Sequence, residues 1–380
     1  MQPQQLIDTA MAQGLPAPYW FIELFKVLGF SLHAVPMNLW YAGILIAMLL
    51  RAFGSEQGKR FSERLMLQMP VIIAFGVNLG IVPLLFIQVA YAKVFYPATV
   101  LMAWAWLGII VLLIPAYYGV YIYAFGLRDR EKAMPAWKQA AGWVAAILFI
   151  AIGFTFANGL SLMANVEAWP QLFRNHNVAA AATGTALNTA DPSLWPRWLM
   201  MFGLAITTTA AWVLFDAGWF AVRESREYHR WAPRFALALY SVGLAWFAVA
   251  GSWYVFGTWS SETQQQMLYR FPMVLLTAAT ALAPGLPWLL ILWIRRQDTS
   301  IGPWFATLAV LGQFGVLGIN AISRQIVQNI ELSGFYRPGE LPLDVQWSPL
   351  VLFLVTFVAG LGLVVWMIRQ VAIASPTETV

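Results

Sequence analysis

The sequence contains no cysteine and only three histidines, and just 10% of its 380 residues are charged. Without cysteine there is no disulfide, thiolate metal site, iron–sulfur cluster or covalently attached c-type haem in this chain. A soluble domain carries about 25% charged residues. Here Lys, Arg, Asp and Glu are too few to coat a water-facing surface. There is no GxxxxGK[ST], no HExxH and no glycine-rich dinucleotide turn after a strand, so soluble-type catalysis has no foothold. No repeat of fixed period is visible, which disfavours an inverted-repeat transporter. Between Glu63 and Asp129 there is no acidic residue. The second and third apolar stretches therefore hold no carboxylate for a proton relay.

What is there in abundance is apolar surface: 60% of the chain is hydrophobic. Nine stretches are long enough to cross a bilayer core of about 30 Å as helices. They fall near 20–50, 67–94, 98–126, 138–165, 194–222, 234–258, 271–294, 302–326 and 348–368. The sequence therefore predicts an all-α, polytopic membrane helix bundle, 1–380 forming a single transmembrane domain. Tyr19-Trp20-Phe21 opens the first stretch as an interfacial aromatic belt. That stretch is too long for a cleavable signal peptide and lacks the basic start.

Basic residues alternate between connections. Arg51, Lys59, Arg60, Arg64, Arg128, Arg130, Lys132, Lys138, Arg223, Arg226, Arg230, Arg234, Arg295, Arg296 and Arg369 fall on one set, 15 of the 22. The positive-inside rule then predicts an outside N-terminus, a cytoplasmic C-terminus and a home in the cell's inner membrane. The net charge of +5 reads as topology, with the lipid bilayer and no nucleic acid as partner. Two longer outer segments, 166–193 and 328–347, are expected to form caps or docking surface.

Ionisable and polar groups inside hydrocarbon are candidates for function. His33 is the only histidine within a span, with Gly29 and Met37 on its face. Imidazole is a common axial ligand of haem iron, and a small neighbour lets a flat macrocycle approach the helix. The alternative is a histidine hydrogen-bonded to a neighbouring helix, with Gly29 serving close packing. His176 and His229 are expected to be solvated. Asn78, Gln88 and Asn158 are expected to make interhelical hydrogen bonds, and Asp216, within reach of water or an arginine of the adjoining basic loop, to cap or pair rather than carry protons.

Four short stretches on this layout resemble subunit I of the cytochrome bd-type oxygen reductases. Leu32-His33-Ala34-Val35-Pro36 is similar to that family's first-helix histidine. Ala157-Asn158-Gly159 resembles its Ala-Asn-Gly at the end of helix four. Asp191-Pro192 followed by Arg197-Trp198-Leu199-Met200 is similar to its entry into helix five. Ser323-Arg324-Gln325 also looks like part of its Gly-Arg-Gln-Pro-Trp. The resemblance implies that His33 ligates a haem b and that Arg324 steadies the haem propionates. The family's His–Met pair for a second haem falls on Met200 and Met273, which implies a bis-methionine site or, failing that, two methionines that fill apolar space. Departures are equally plain. The family's helix-three acids have no counterpart, its glutamate before Gly-Arg-Gln falls on Ala321, and its quinol loop shrinks to about Trp259–Arg270. Together these imply one haem b, or two, and an oxidoreductase subunit that passes electrons among other membrane or cytochrome subunits of a respiratory complex. A haem-free anchor or assembly subunit for a redox partner is the alternative, and a small-molecule transporter a more distant one.

Overall fold

The computed structural model describes residues 14–129, 133–297 and 301–374. Arg130 and Lys132 of the expected basic connection, and the C-terminal Val380, lie outside the described residues. The chain is helical almost throughout. Its helices are α1 (Tyr19–Phe53), α2 (Glu56–Ala90), α3 (Ala92–Leu101), α4 (Ala103–Arg128), α5 (Ala136–Ala164) and α6 (Trp169–Asn175). After a two-residue hairpin, β1 (Asn177–Val178) paired antiparallel with β2 (Ala181–Ala182), come α7 (Leu194–Phe220), α8 (Arg226–Gly257), α9 (Ser261–Tyr269), α10 (Met273–Arg296), α11 (Pro303–Leu332) and α12 (Trp347–Ala374). Among the described residues, nine helices are long and apolar enough to cross a membrane: α1, α2, α4, α5, α7, α8, α10, α11 and α12. This is a multi-pass membrane protein.

The helix ends differ from the hydropathy-based spans, because hydropathy marks the apolar middle while helices continue through their charged ends. α2 starts at Glu56, where Ser55 caps Gly58 N–H at 3.3 Å, eleven residues before the expected 67. It stops before Tyr91, whose backbone leaves the helical region. The stretch expected to run from 98 is divided between α3 and α4. α11 continues to Leu332, so Gln328 and Glu331, expected in an outer cap, belong to a spanning helix. Inside α1, Pro36 removes an amide from the helical ladder, and the chain loosens into a π turn at Leu39–Gly43. A second π turn, Asp216–Phe220, closes α7.

Upper denotes the end of the bundle at which α1 begins. α7 is the central helix, with 67% of its apolar window buried, whereas 0% of the α12 window is buried. α12 is held at its upper end. Leu15 N–H donates to Pro342 O at 2.8 Å and Asp344 N–H to Leu15 O at 2.8 Å, and Phe353 packs edge-on against Phe25. α7 and α8 approach most closely where Gly203 meets Gly243. A Cβ on Gly203 would stand 2.8 Å from the backbone nitrogen of Phe247, and backbone cannot rotate away. Gly203→Ala is therefore expected to destabilise the protein by about 1–3 kcal/mol through overpacking. A lowered thermal unfolding midpoint in detergent, beside an unchanged Gly334→Ala control, checks this.

Candidate functional site

His33 faces α2. Its Nδ1–H donates to the carbonyl oxygen of Gly76 at 2.7 Å, so the neutral imidazole carries its lone pair on Nε2, which has no protein partner among the described residues. A metal-ligating histidine characteristically gives its other ring N–H to a carbonyl or carboxylate in this way. α2 makes room with glycines one turn apart. A Cβ at Gly76 would stand 2.1 Å from the Trp40 ring, and one at Gly80 2.7 Å from His33 Cε1. The Gly-x-x-x-Gly spacing of 76 and 80 was available in the sequence as a helix-contact signal. Gly29 packs against Val82 and Pro83 of α2, where a Cβ would stand 3.1 Å from Pro83 Cδ. The expected opening for a macrocycle beside Gly29 is thus filled by protein, and close helix packing explains that glycine.

Arg324 lies where α1, α7 and α11 meet. Its Nη1 is 3.7 Å from Met201 Sδ, and its guanidinium sits 4.7 Å from the centre of the Phe30 ring. Phe30 precedes His33 by three positions and so lies beside it on α1. Two upper cations near it have acids. Arg197 donates to both oxygens of Glu331, at 2.9 and 2.7 Å, and to Tyr254 OH at 2.9 Å. Lys26 donates to Glu23 at 2.7 Å. Arg324 has no carboxylate partner among the described residues. A guanidinium carries five donors, and leaving them unmatched inside a membrane bundle is costly.

Met200 and Met273 join one apolar cluster with Leu204, Phe247, Tyr254 and Met267. Within it, the Met200 sulfur faces α8, 3.6 Å from where a Cβ on Gly251 would stand. Its neighbour Met201 is the thioether that meets Arg324. A haem asks for an axial base and for cations at its two carboxylates. An imidazole lone pair fixed by a backbone acceptor, and an arginine without a carboxylate, fit that requirement at His33 and Arg324.

Two of the short stretches, at 157–159 and 191–192, meet in one hydrogen-bonded network. Asn158 Oδ1 accepts from the Asn188 backbone N–H at 3.0 Å. The Asn188 side chain donates to Ser161 at 2.8 Å and to Asp191 at 2.9 Å. Asp191 in turn accepts from Ser193 N–H at 2.8 Å, at the entry to α7. Asn158 Nδ2 is buried without a partner. The interhelical expectation fails for Asn78, which donates to Ala74 O in its own helix at 2.8 Å. Gln88 accepts from Tyr96 of α3 at 3.3 Å. His176 reaches Thr185 at 3.1 Å, and His229 buries an unpartnered Nδ1 instead of standing in water.

A tyrosine hub and the actual partners of Asp216 escaped the sequence because their members are far apart in the chain. At the upper end, Tyr91 OH is a hub, 2.8 Å from Glu23, 2.9 Å from Tyr19, 2.6 Å from Asn329 and 2.7 Å from Gln325. Lys26 Nζ stands 3.9 Å above its ring. Burial, reinforced by the Glu23 charge, pushes the Tyr91 hydroxyl far above the ordinary phenol range, so it remains a proton donor. At the lower end, Asp216 is buried and accepts four hydrogen bonds: from Arg64 at 2.8 and 3.1 Å, Gln68 at 3.1 Å and Tyr228 at 2.9 Å. Its arginine comes from α2, not from the loop that follows α7. The arrangement is a saturated ion pair that ties α2, α7 and α8.

No protein-family model matches the chain, and no curated protein matches it significantly.

Proposed function

We propose that this chain is a bd-like integral membrane subunit of a respiratory electron-transfer complex, binding one haem b at His33. The observation that supports this best is the His33–Gly76 hydrogen bond, which presents Nε2 as a fixed lone pair inside a membrane bundle. Arg324 supplies the cation for the propionates. Bound there, haem b supplies one-electron transfer between ferric and ferrous iron. The residues around it orient the ring, exclude water and offset carboxylate charge. The short segment from Trp259 to Arg270 leaves no bd-type quinol loop, so the electron donor is a cytochrome or another membrane subunit. A dithionite-reduced minus oxidised spectrum of the purified protein tests this. A Soret change at haem b wavelengths is expected, and a flat line rejects it.

Met200 and Met273 are the proposed ligands of a second haem. Thioethers on both faces would favour ferrous iron and a raised potential. Methionine to leucine conserves volume and costs little stability. Met200→Leu and Met273→Leu are each expected to shift or remove one component of the spectrum, and unchanged haem content in both variants removes this second site.

We also propose that the upper end is outside and the lower end cytoplasmic, in the inner membrane. The division of basic residues supports this, 15 on one set of connections and seven elsewhere. A reporter fused after Val380 is expected to read cytoplasm, and one inserted at Ala180 the outside. Both on one side would contradict the nine-span topology.

The second reading, a haem-free anchor for a redox partner, draws on α12. Its apolar window has no residue buried against the rest of the chain, which leaves a spanning helix free for another subunit.

A further inference from the structure

We propose that the cleft between α4 and α5 retains one acyl chain of a membrane phospholipid. The cleft has a volume of about 320 Å³. Its floor is Ala105, Gly108 and Leu112 facing Thr155, and its wall is Trp104, Leu107 and Val111. Both sets recur at three- and four-residue spacing, so they run as parallel stripes along α4. From Trp104 to Leu112 the groove is about 12 Å long at 1.5 Å per residue.

Gly108 keeps the groove open, since a Cβ built there meets nothing within 4 Å. Both bordering helices are membrane spans, so the medium at its mouth is hydrocarbon. A hydrocarbon chain seated in the groove gains dispersion contacts along both walls. The chemistry of the lining selects the occupant. Thr155 is its only side chain with a hydroxyl, and that hydroxyl already donates to Ala151 O at 2.9 Å. The other polar group of the lining, the Trp104 indole N–H, stands at the upper mouth, and no polar group lies deeper to hold a quinone ring within the groove. The headgroup must stay outside it, level with the exposed indole of Trp104, and a straight apolar chain must lie below. A phospholipid has that division of polarity.

The test uses the full chain in vesicles of phosphatidylethanolamine and phosphatidylglycerol, a fraction of which carries a photoactivatable diazirine on one acyl chain. Labelled peptides are mapped by mass spectrometry. Residues 104–112 are expected to be labelled at least fivefold more than 351–365 of α12, which is mostly exposed and anchored at Phe353 and Phe357. Gly108→Leu fills the groove and is expected to bring the two to parity with the helical circular-dichroism signal unchanged. Thr155→Leu, which fills it from the other helix, is expected to do the same. Equal labelling of the two segments in the wild-type protein overturns the proposal. So does labelling that persists in either folded variant. Loss of labelling on adding an equimolar long-tailed quinone also overturns it, since the occupant is then isoprenoid.

Discussion

Replacing His33 with alanine is expected to abolish the high-spin haem signal of the purified protein while leaving the chain in the membrane. The imidazole is the only histidine in the apolar part of a spanning helix, His229 standing in the polar first turn of α8, and its Nδ1 is committed to Gly76 O at 2.7 Å. No neighbouring side chain offers an equivalent lone pair on that face, because α2 presents Gly76 and Gly80 there. Arg324→Ala is expected to weaken haem retention without removing the spectrum, since it takes away the propionate partner and not the axial base. A purely structural His33 would behave differently. Losing its hydrogen bond would cost about 1 kcal/mol and leave every absorption band in place. Haem per chain, read from the Soret absorbance of each variant against protein mass, separates the two outcomes.

The largest loss of stability is expected from Asp216→Asn. The carboxylate is 1% exposed and holds two guanidinium nitrogens, an amide and a phenol. An asparagine keeps the shape but removes the charge that Arg64 needs, and one of its two acceptor positions becomes a donor. Breaking a buried pair by removing one partner typically costs about 3–5 kcal/mol. Glu224, whose carboxylate lies 3.7 Å from Arg64, offsets part of that, so a value near about 3 kcal/mol is expected. The unfolding midpoint in detergent measures it. Arg64→Met in the same background should add little, because the two side chains act as one unit. A small effect of Asp216→Asn alone would mean that the pair contributes no more than a surface contact.

The apolar spans were legible because nothing but a membrane hides a chain of this composition, and each stretch is longer than a buried soluble helix needs. Their ends were less legible. Glu56–Met66 and Arg226–Arg234 are too polar for a hydropathy window yet continue the helices. His33 stood out as an ionisable group surrounded by apolar residues, but its acceptor did not, since a backbone carbonyl carries no sequence signature. Asp216 was readable as a capped or paired acid, but its arginine, Arg64, was not, because proximity in the chain is a poor guide to proximity across a bundle. The Tyr91 hub joins residues 19, 23, 91, 325 and 329, which no local pattern connects. Arg324 without a carboxylate was invisible for the same reason: a missing partner shows only when the neighbours are known.

Haem stoichiometry decides the central claim. The chain is to be purified from its native membrane together with its partners, and its haem extracted into alkaline pyridine, where the reduced spectrum identifies the haem type and its absorbance counts it. The expected result is haem b at one per chain, or two where the Met200–Met273 site is also filled, and one fewer in His33→Ala prepared in the same way. Wild-type protein with no haem b, or the same content in His33→Ala, would contradict a haem at His33.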